Sequence, residues 1–361
     1  MKLASLKSDS RDGKLIVVSN DLKKAVDVTG TIPNLQQALE NWHEVSPELD
    51  EVSGMLNAGQ ANDAFVLDVK KLASPLPRAY QWLDGSAYVN HVELVRKSRG
   101  VEMPESFWTD PLMYQGESDW LLGPYDDIPV SDEKFGIDFE AEIAVVTDDV
   151  PMGVSAADAA KHIKLIMLVN DVSLRYLAMP ELTKGFGFVQ AKPATAFSPI
   201  AITPDELGAA WQDGKVCLPL ISYYNGKKFG SPNAGVDMVF NFPTLVAHAA
   251  KTRFLSAGTI IGSGTVSNKN HKEVGSSCIV EKRTVEKLET GDSTTPFMKF
   301  GDTVKIEMLD AKGKSIFGAI EQKVTRYVSP RRSGANSEAN DGVSIHTRGD
   351  QTPQQVRGDK K

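Results

Sequence analysis

A twelve-residue stretch at positions 135–146, FGIDFEAEIAVV, constrains this chain more than any other segment. Side chains of a β-strand alternate between its two faces. The first face would be wholly apolar, with Ile137, Phe139, Ala141, Ile143 and Val145. The second face begins with Asp138, Glu140 and Glu142 and ends with Ala144 and Val146, so it is not a solvent face along its whole length.

Glu140 and Glu142 are therefore expected to project side by side into a partly enclosed space. Two like charges at this separation repel, and their desolvation costs several kcal/mol unless a positive group compensates them. A divalent cation is the simplest compensation. The alternative is an edge strand whose glutamates point into water, and the twelve residues alone leave that alternative open.

Composition limits the classes of function. A chain of 361 residues can bury a large core and suggests about two domains. The net charge of -7 provides no basic surface for nucleic acid. Cys217 and Cys278, in no C-x-x-C pattern, argue against disulfides or thiolate zinc and favour a cytoplasmic location. We find no signal-peptide core and no apolar run near the ~18 residues of a membrane span.

The pattern along the chain predicts three parts. Residues 1–75 form a small N-terminal domain, in which Asn34 begins a helix and Gln37 completes a capping box. After the proline-rich linker at 72–77, residues 76–328 form a second, larger domain. Short strands predicted at 219–224, 259–261, 277–280, 303–308 and 319–325 make it β-rich, in the α+β class. Residues 329–361 have no aromatic residue and no period, and are predicted to be a disordered tail.

Several polar residues accompany the acidic strand. A predicted buried strand at 163–169 ends in Asn170 and Asp171, so Glu140, Glu142 and Asp171 offer hard oxygen ligands suited to Mg²⁺ or Ca²⁺. Lys192, flanked by apolar residues, is either desolvated or extends to the surface. His91, near the buried side of a helix predicted at 87–99, is either a base or a hydrogen-bonded core residue. No zinc-protease, phosphate-loop or serine-hydrolase motif is present.

Five motifs follow one another over about residues 80–328: DFEAEIAVV, LVNDVSLR, QAKPATAFSP, GSGTVS and PFMKFGDTVKIEM. In this order and at nearly this spacing they resemble the fumarylacetoacetate hydrolase family. The segments YVNHVELVRKSRGVEMP and YQGESD resemble its longer, fumarylacetoacetase-type members. The resemblance implies a catalytic domain of mixed β-roll and β-sandwich type, a small N-terminal domain and a homodimer.

The resemblance also implies roles for individual residues. The metal ligands would be Asp84, Glu140, Glu142 and Asp171, holding a divalent cation, Mg²⁺ or Ca²⁺. The catalytic residues would be His91, which activates water, its carboxylate partner Glu281, and the cations Arg175 and Lys192. The residues in contact with substrate would be Tyr114 and Thr265.

The implied reaction is the metal-dependent cleavage of a carbon–carbon bond in a 1,3-dicarbonyl acid. Fumarylacetoacetate would give fumarate and acetoacetate, a step of tyrosine and phenylalanine catabolism. The alternatives within the family are an acylpyruvate hydrolase, a 2-oxo acid hydratase or an oxaloacetate decarboxylase. An alternative of another class is a non-catalytic metal-dependent binding module, which would need the carboxylates but neither His91 nor Lys192.

Overall fold

Strands build most of the fold in this computed structural model, which describes residues 1–97 and 100–329. Within those residues the strands are β1 (Lys2–Leu6), β2 (Lys14–Val18), β3 (Lys24–Asp27), β4 (Phe65–Val66), β5 (Trp82–Gly85), β6 (Met113–Gln115), β7 (Ile128–Val130), β8 (Ile137–Asp138), β9 (Ala141–Thr147), β10 (Ile163–Asn170), β11 (Ser173–Leu174), β12 (Ala196–Phe197), β13 (Ala201–Ile202), β14 (Trp211–Gln212), β15 (Lys215–Val216), β16 (Leu220–Tyr224), β17 (Lys227–Gly230), β18 (Ile260–Gly262), β19 (Thr303–Met308) and β20 (Ile320–Arg326). The predicted tail lies outside the described residues, Ser329 excepted, and stays a prediction.

Among the described residues, the helices are fewer than the strands. They are α1 (Leu35–Glu40), α2 (Trp42–Asn57), α3 (Val89–Lys97), α4 (Ala156–Ala159), α5 (Arg175–Leu182), α6 (Phe242–Ala249), α7 (His271–Val274) and α8 (Ile279–Thr290). Across residues 1–97 and 100–329, no helix combines the length and the apolar character that crossing a membrane requires.

The largest sheet has eleven strands and runs through most of the chain. Its order is β4-β3-β2-β1-β13-β10-β9-β18-β5-β6, and β12 also pairs with β10. Strand β1 pairs antiparallel with β13, with Lys2 opposite Ile202. Strands from both sides of the boundary predicted near residue 75 therefore share one sheet, and the division into domains there remains a prediction.

A second sheet covers the centre of the first. Its order is β17-β16-β19-β20-β7, antiparallel except for the parallel pair β20 and β7. Apolar side chains of β9 and β10 and of β19 and β20 fill the space between the sheets, among them Ile143, Leu168, Ile306 and Ile320. This layered arrangement confirms the predicted strand-rich α+β class.

The acidic stretch that opened the sequence analysis lies in the interior of the fold, with β9 inside the eleven-stranded sheet and β8 paired with β11. It forms β8 and β9, and every residue from 137 to 147 is buried. Ile143 and Val145 face the cluster between the sheets, whereas Ala144 and Val146 join a second apolar cluster that contains Trp82. The predicted alternation is therefore confirmed, and the alternative of glutamates pointing into water is wrong.

One helix cap agrees with the sequence and one predicted strand does not. Asn34 Oδ1 accepts the N–H of Gln37 at 2.9 Å, as the capping box predicts. The strand predicted at 277–280 is wrong, because α8 begins at Ile279. The carboxylate of Asp138 accepts the N–H groups of Ile279 at 2.7 Å and Val280 at 2.9 Å. These are donors that the first turn of a helix cannot satisfy itself, and their acceptor is remote in the sequence.

We expect Gly230→Ala to destabilise the fold, because a Cβ atom there would lie 2.1 Å from the carbonyl oxygen of Ser276. The free energy of unfolding in urea should fall by about 1–3 kcal/mol or more. Gly54→Ala is the matched control, since its Cβ would meet nothing within 4 Å. Gly54 lies inside helix α2, so this control should gain about 0.5–1 kcal/mol. Equal effects of the two substitutions would contradict this packing.

Candidate active site

Three buried carboxylates come together on neighbouring strands. Asp84 lies on β5, Glu142 lies on β9, and Asp171 directly follows β10. Strand β18 lies between the first two, with Gly262 opposite Asp84 on one side and Ala144 on the other, and β9 pairs with β10. One oxygen of each carboxylate lies within 4.8 Å of the others. The structure therefore brings together three of the four predicted metal ligands, which we call the carboxylate trio.

The charge of the carboxylate trio is poorly compensated. Burial raises the pKa of Glu142 well above its usual range, and the charges of Asp84 and Asp171 raise it further. Burial, followed by the charge of Asp171, raises the pKa of Asp84 to about 8. Among the described residues, neither oxygen of Glu142 has a hydrogen-bond partner. Buried carboxylate oxygens without partners fit a hard divalent cation such as Mg²⁺, Ca²⁺ or Mn²⁺.

Glu140, the fourth predicted ligand, is held by two cations. Arg175 donates from its terminal nitrogen Nη2 to Glu140 Oε1 at 2.6 Å, and Lys192 Nζ donates to Oε2 at 2.5 Å. Burial disfavours the charged carboxylate, but Arg175 and Lys192 outweigh burial and lower the pKa of Glu140. Glu140 therefore lies outside the carboxylate trio, and one of its oxygens clusters with His91 and Cys278.

Lys192 joins the two groups of carboxylates. Its Nζ also donates to Asp171 Oδ2 at 2.5 Å, so one ammonium group bridges Glu140 and Asp171. Burial opposes the charge of Lys192, but the charges of Asp171 and Glu140 raise its pKa. Of the two possibilities that the sequence left open, Lys192 is buried and paired, not extended to the surface.

His91 and Glu281 form a direct pair. His91 lies on α3 and Glu281 lies in the first turn of α8, and the two helices pack together. His91 Nδ1 lies 2.6 Å from Glu281 Oε2. Glu281 is fully buried, whereas the side chain of His91 is 16% exposed. The structure therefore brings together two predicted residues that are 190 positions apart, and this contact leaves Nε2 of His91 for other partners.

The two predicted substrate contacts lie beside the carboxylate trio. Tyr114 lies on the short strand β6, and its hydroxyl donates to Asp171. Lys192 Nζ lies 5.1 Å from the centre of the Tyr114 ring. Thr265 is buried and follows Gly264, whose N–H donates to Asp84 Oδ1 at 2.9 Å. Both residues are therefore within the walls of the same site.

Two polar residues of the site were not given roles by the sequence. Asp138 accepts a hydrogen bond from Arg175 Nε at 2.8 Å in addition to the α8 N–H groups. Thr195 Oγ1 donates to Asp171 Oδ1 at 2.9 Å. The sequence contains a signal for each of them. Asp138 lies on the acidic face of the strand beside Glu140, and Thr195 lies within the motif QAKPATAFSP.

Fold and site together define a strand-rich protein with a buried carboxylate centre beside a histidine–glutamate pair. The family description "Fumarylacetoacetate (FAA) hydrolase C-terminal" matches residues 81–325, and "Fumarylacetoacetase N-terminal domain 2" matches residues 1–78. The chain belongs to the fumarylacetoacetate hydrolase family, as its motifs indicated.

Relatives in this family carry different activities in their names. The chain is 27% identical over 184 residues to the mitochondrial oxaloacetate tautomerase FAHD2A of Homo sapiens, covering 50% of this chain and 54% of that protein. It is 28% identical over 160 residues to a 2,4-didehydro-3-deoxy-L-rhamnonate hydrolase of Sphingomonas sp. (strain SKA58), covering 44% and 53%. The chain thus spans about half the length of these curated relatives.

Solved structures share the fold at lower sequence identity. One is the maleylpyruvate hydrolase of Sphingobium sp. SYK-6 in complex with manganese (II) ion and pyruvate. Its TM-score is 0.59 at 15% identity, and the alignment covers 90% of this chain and 99% of that chain. At this identity the likeness establishes the fold alone.

We expect Asp138→Asn to destabilise the protein strongly, because it removes the charge that faces Arg175 in a buried pair. Breaking such a pair costs about 3–5 kcal/mol of the free energy of unfolding, measured in urea. Asp119→Asn, at an exposed position, is the control and should change stability by less than about 0.5 kcal/mol. Equal stability of the two variants would show that the carboxylate of Asp138 does not hold Arg175 and α8.

We expect Mn²⁺ or Mg²⁺ to stabilise the protein by binding at the carboxylate trio. At about one hundred times the dissociation constant, the gain is ~2.7 kcal/mol, visible as a rise in the melting temperature. Glu142→Gln should lose most of this rise, because its oxygens have no other partner. Glu48→Gln, an exposed glutamate on α2, should keep it. A rise that survives in Glu142→Gln would place the cation elsewhere.

Proposed function

We propose that this protein is a divalent-cation-dependent enzyme that hydrolyses a carbon–carbon bond in a 1,3-dicarbonyl acid, with fumarylacetoacetate as the first substrate to test. One observation carries the proposal. The pair of the partly buried His91 and the buried Glu281 lies in the same site as two cationic side chains and three poorly compensated carboxylates. That combination supplies a base, stabilisation of negative charge and ligands for a cation.

Asp84, Glu142 and Asp171 would hold the cation. Their oxygen atoms suit Mg²⁺, Ca²⁺ or Mn²⁺, and Mn²⁺ is the ion in the maleylpyruvate hydrolase structure. When bound, a cation there would polarise the oxygens of a dicarbonyl and stabilise charge that develops on them. Glu140, engaged by Arg175 and Lys192, would support the site from beside the trio.

His91 is suited to act as the general base. Glu281 fixes Nδ1, which orients the ring and leaves Nε2 to accept a proton from a water molecule. The buried carboxylate of Glu281 would also stabilise the imidazolium that forms after the proton transfer. A fixed tautomer and a stabilised imidazolium are the two properties that a histidine base needs from its partner.

Lys192 and Arg175 are suited to stabilise negative charge in the transition state. Both are held in place by buried carboxylates, so they need not reorganise when charge develops nearby. Water, losing a proton to His91, would add to the carbonyl carbon. The carbon–carbon bond then breaks, its electron pair leaves with the departing fragment as an enolate, and that enolate regains a proton. Fumarylacetoacetate and water would thus give fumarate and acetoacetate.

A second candidate is tautomerisation of a 2-oxo acid such as oxaloacetate. The observation that favours it is the match to oxaloacetate tautomerases over half of this chain. The same histidine could move a proton between carbon and oxygen without adding water. Acylpyruvate hydrolysis, 2-oxo acid hydration and oxaloacetate decarboxylation use related substrates and complete the set to be assayed.

We expect His91→Ala to lower kcat by about 10²–10⁴-fold, because it removes the proposed general base. His43→Ala is the control, since His43 is exposed on α2, and it should keep full activity. Turnover that is equal in the two variants would rule out His91 as the base. A protein that binds the cation and the acid but turns over no substrate would be the binding module instead.

The substrate can be identified by incubating the protein with fumarylacetoacetate, an acylpyruvate or oxaloacetate in parallel, each with Mn²⁺ or Mg²⁺, and by measuring the products of each reaction. Our proposal expects cleavage products from a 1,3-dicarbonyl acid, with fumarate and acetoacetate from the first. Exchange of the oxaloacetate C3 protons without cleavage of any substrate would favour the tautomerase. The homodimer and the cytoplasmic location remain predictions, and light scattering of the purified chain tests the first.

A further inference from the structure

We propose that Asn170 and Gln322 are positioning residues, which hold two acids of the candidate active site in place from the second sheet. Asn170 ends β10 and directly precedes Asp171, whereas Gln322 lies on β20. Asn170 Nδ2 donates to Gln322 Oε1 at 2.9 Å. Asn170 is fully buried, and Gln322 is 2% exposed. We call these two side chains the amide pair.

The amide pair interrupts an apolar pattern on both strands. Side chains of a strand alternate between its two faces, so Gln322 shares the buried face of β20 with Ile320 and Val324. By the same alternation, Asn170 shares a face of β10 with Leu168. The three apolar side chains belong to the cluster between the sheets. Two amides therefore occupy positions that the alternation assigns to apolar side chains.

Stability alone does not account for two amides in an apolar core. A buried amide is costly unless its hydrogen bonds are made, and apolar groups of the same shape can replace a hydrogen-bonded pair at little cost. A satisfied buried polar network instead favours one arrangement of its surroundings over others. Departures from the apolar pattern are expected at functional sites. The amide pair is therefore expected to fix a particular geometry.

The geometry that the amide pair fixes is the point where β9 and β10 enter the site. Asn170 Oδ1 accepts the backbone N–H of Glu140 at 3.3 Å. The next residue along the chain, Asp171, donates its N–H to the carbonyl oxygen of Glu140 at 3.0 Å. Asn170 thus links the backbones that carry both acids, and its own amide is oriented by Gln322.

The amide pair is also anchored on the side away from the acids. Gln322 Nε2 donates to the carbonyl oxygen of Asp126 at 2.8 Å. The carboxylate of Asp126 accepts the N–H of Gly123 at 2.7 Å and pairs with Lys7. The amide of Gln322 therefore has a partner at its oxygen and at its nitrogen, and it cannot turn without losing one of them.

The two acids that depend on this link have separate tasks in the site. Asp171 belongs to the carboxylate trio, and it shares the ammonium group of Lys192 with Glu140. A displacement of their backbones would alter a cation ligand and the position of Lys192 together. Residues that orient the ligands of a metal contribute about tenfold or more to its affinity. The amide pair should therefore be visible in the affinity for a cation.

The test measures the dissociation constant of Mn²⁺ by calorimetry on the full chain. Gln322→Met keeps the length of the side chain and removes its hydrogen bonds, so the constant should rise about tenfold. The matched control is Ile320→Val, on the same strand and in the same core. This control should lower the melting temperature but keep the affinity, because it removes no hydrogen bond. Unchanged affinity in Gln322→Met, or an equal loss in both variants, would overturn the proposal.

A double substitution tests whether the two amides act as one unit. Asn170→Leu should weaken Mn²⁺ binding by about tenfold or more, because the N–H of Glu140 loses its acceptor. Adding Gln322→Met to Asn170→Leu should change the affinity no further, since Gln322 acts through Asn170. Losses that multiply in the double variant would contradict the pair. The melting temperature of each variant verifies its folding.

Turnover separates this inference from the proposed function, on which its effect on catalysis rests. In saturating Mn²⁺, kcat should fall about tenfold or more in Gln322→Met and stay constant in Ile320→Val. Mn²⁺ affinity that depends on Gln322, in a chain that turns over no substrate, would leave the positioning role standing and refute the proposed function. Turnover with an affinity that does not depend on Gln322 would refute the positioning role alone. A wild type that binds no Mn²⁺ would refute both.

Discussion

The ammonium group of Lys192, shared between Glu140 and Asp171, is the interaction on which the rest of the site depends. Lys192 lies in the segment that leads to β12, whereas Glu140 directly precedes β9 and Asp171 directly follows β10. Without this cation two buried carboxylates would lose their common partner, and an unpaired buried charge costs several kcal/mol. The carboxylates hold the lysine equally firmly, because a buried ammonium group is stable only when it is paired. Lys192 therefore has a structural task and a proposed catalytic one.

The buried acids consequently fall into two sets with different partners. Asp138 and Glu140 are neutralised by side chains of this chain, and Asp138 also caps α8. Within residues 1–97 and 100–329, neither Asp84 nor Glu142 forms an ion pair with such a cation, and burial raises the pKa of both. Asp171 belongs to both sets, because it contacts Lys192 and lies within the carboxylate trio. The fold can therefore bury several acids at one site. Side chains of this chain neutralise some of them, and the negative charge of the others remains available to a bound cation.

Sequence reasoning reached the parts of this arrangement that local patterns encode. Strand alternation predicted the buried face of Glu140 and Glu142, and the motifs of the family indicated Lys192 and the partner of His91. It placed Glu140 with the metal ligands, which stays a prediction, and the structure adds that Arg175 and Lys192 contact this carboxylate. Sequence reasoning also predicted a strand where α8 begins. The carboxylate that caps α8 belongs to Asp138, which lies more than 140 positions earlier, so the local sequence does not reveal the start of the helix. This difference arises from a tertiary contact that no local stretch of sequence contains.

The segment between Arg175 and Lys192 combines residues that are anchored to the site with residues that are exposed. Both cations flank this segment, and Phe188 within it packs against the ring of Tyr114 at 5.3 Å. Its end is fixed by Glu181, whose carboxylate accepts three backbone N–H groups, at residues 189–191. Phe186, by contrast, is fully exposed. Changes at the exposed positions can therefore alter this segment while the contacts that hold Arg175, Lys192 and Glu181 stay in place.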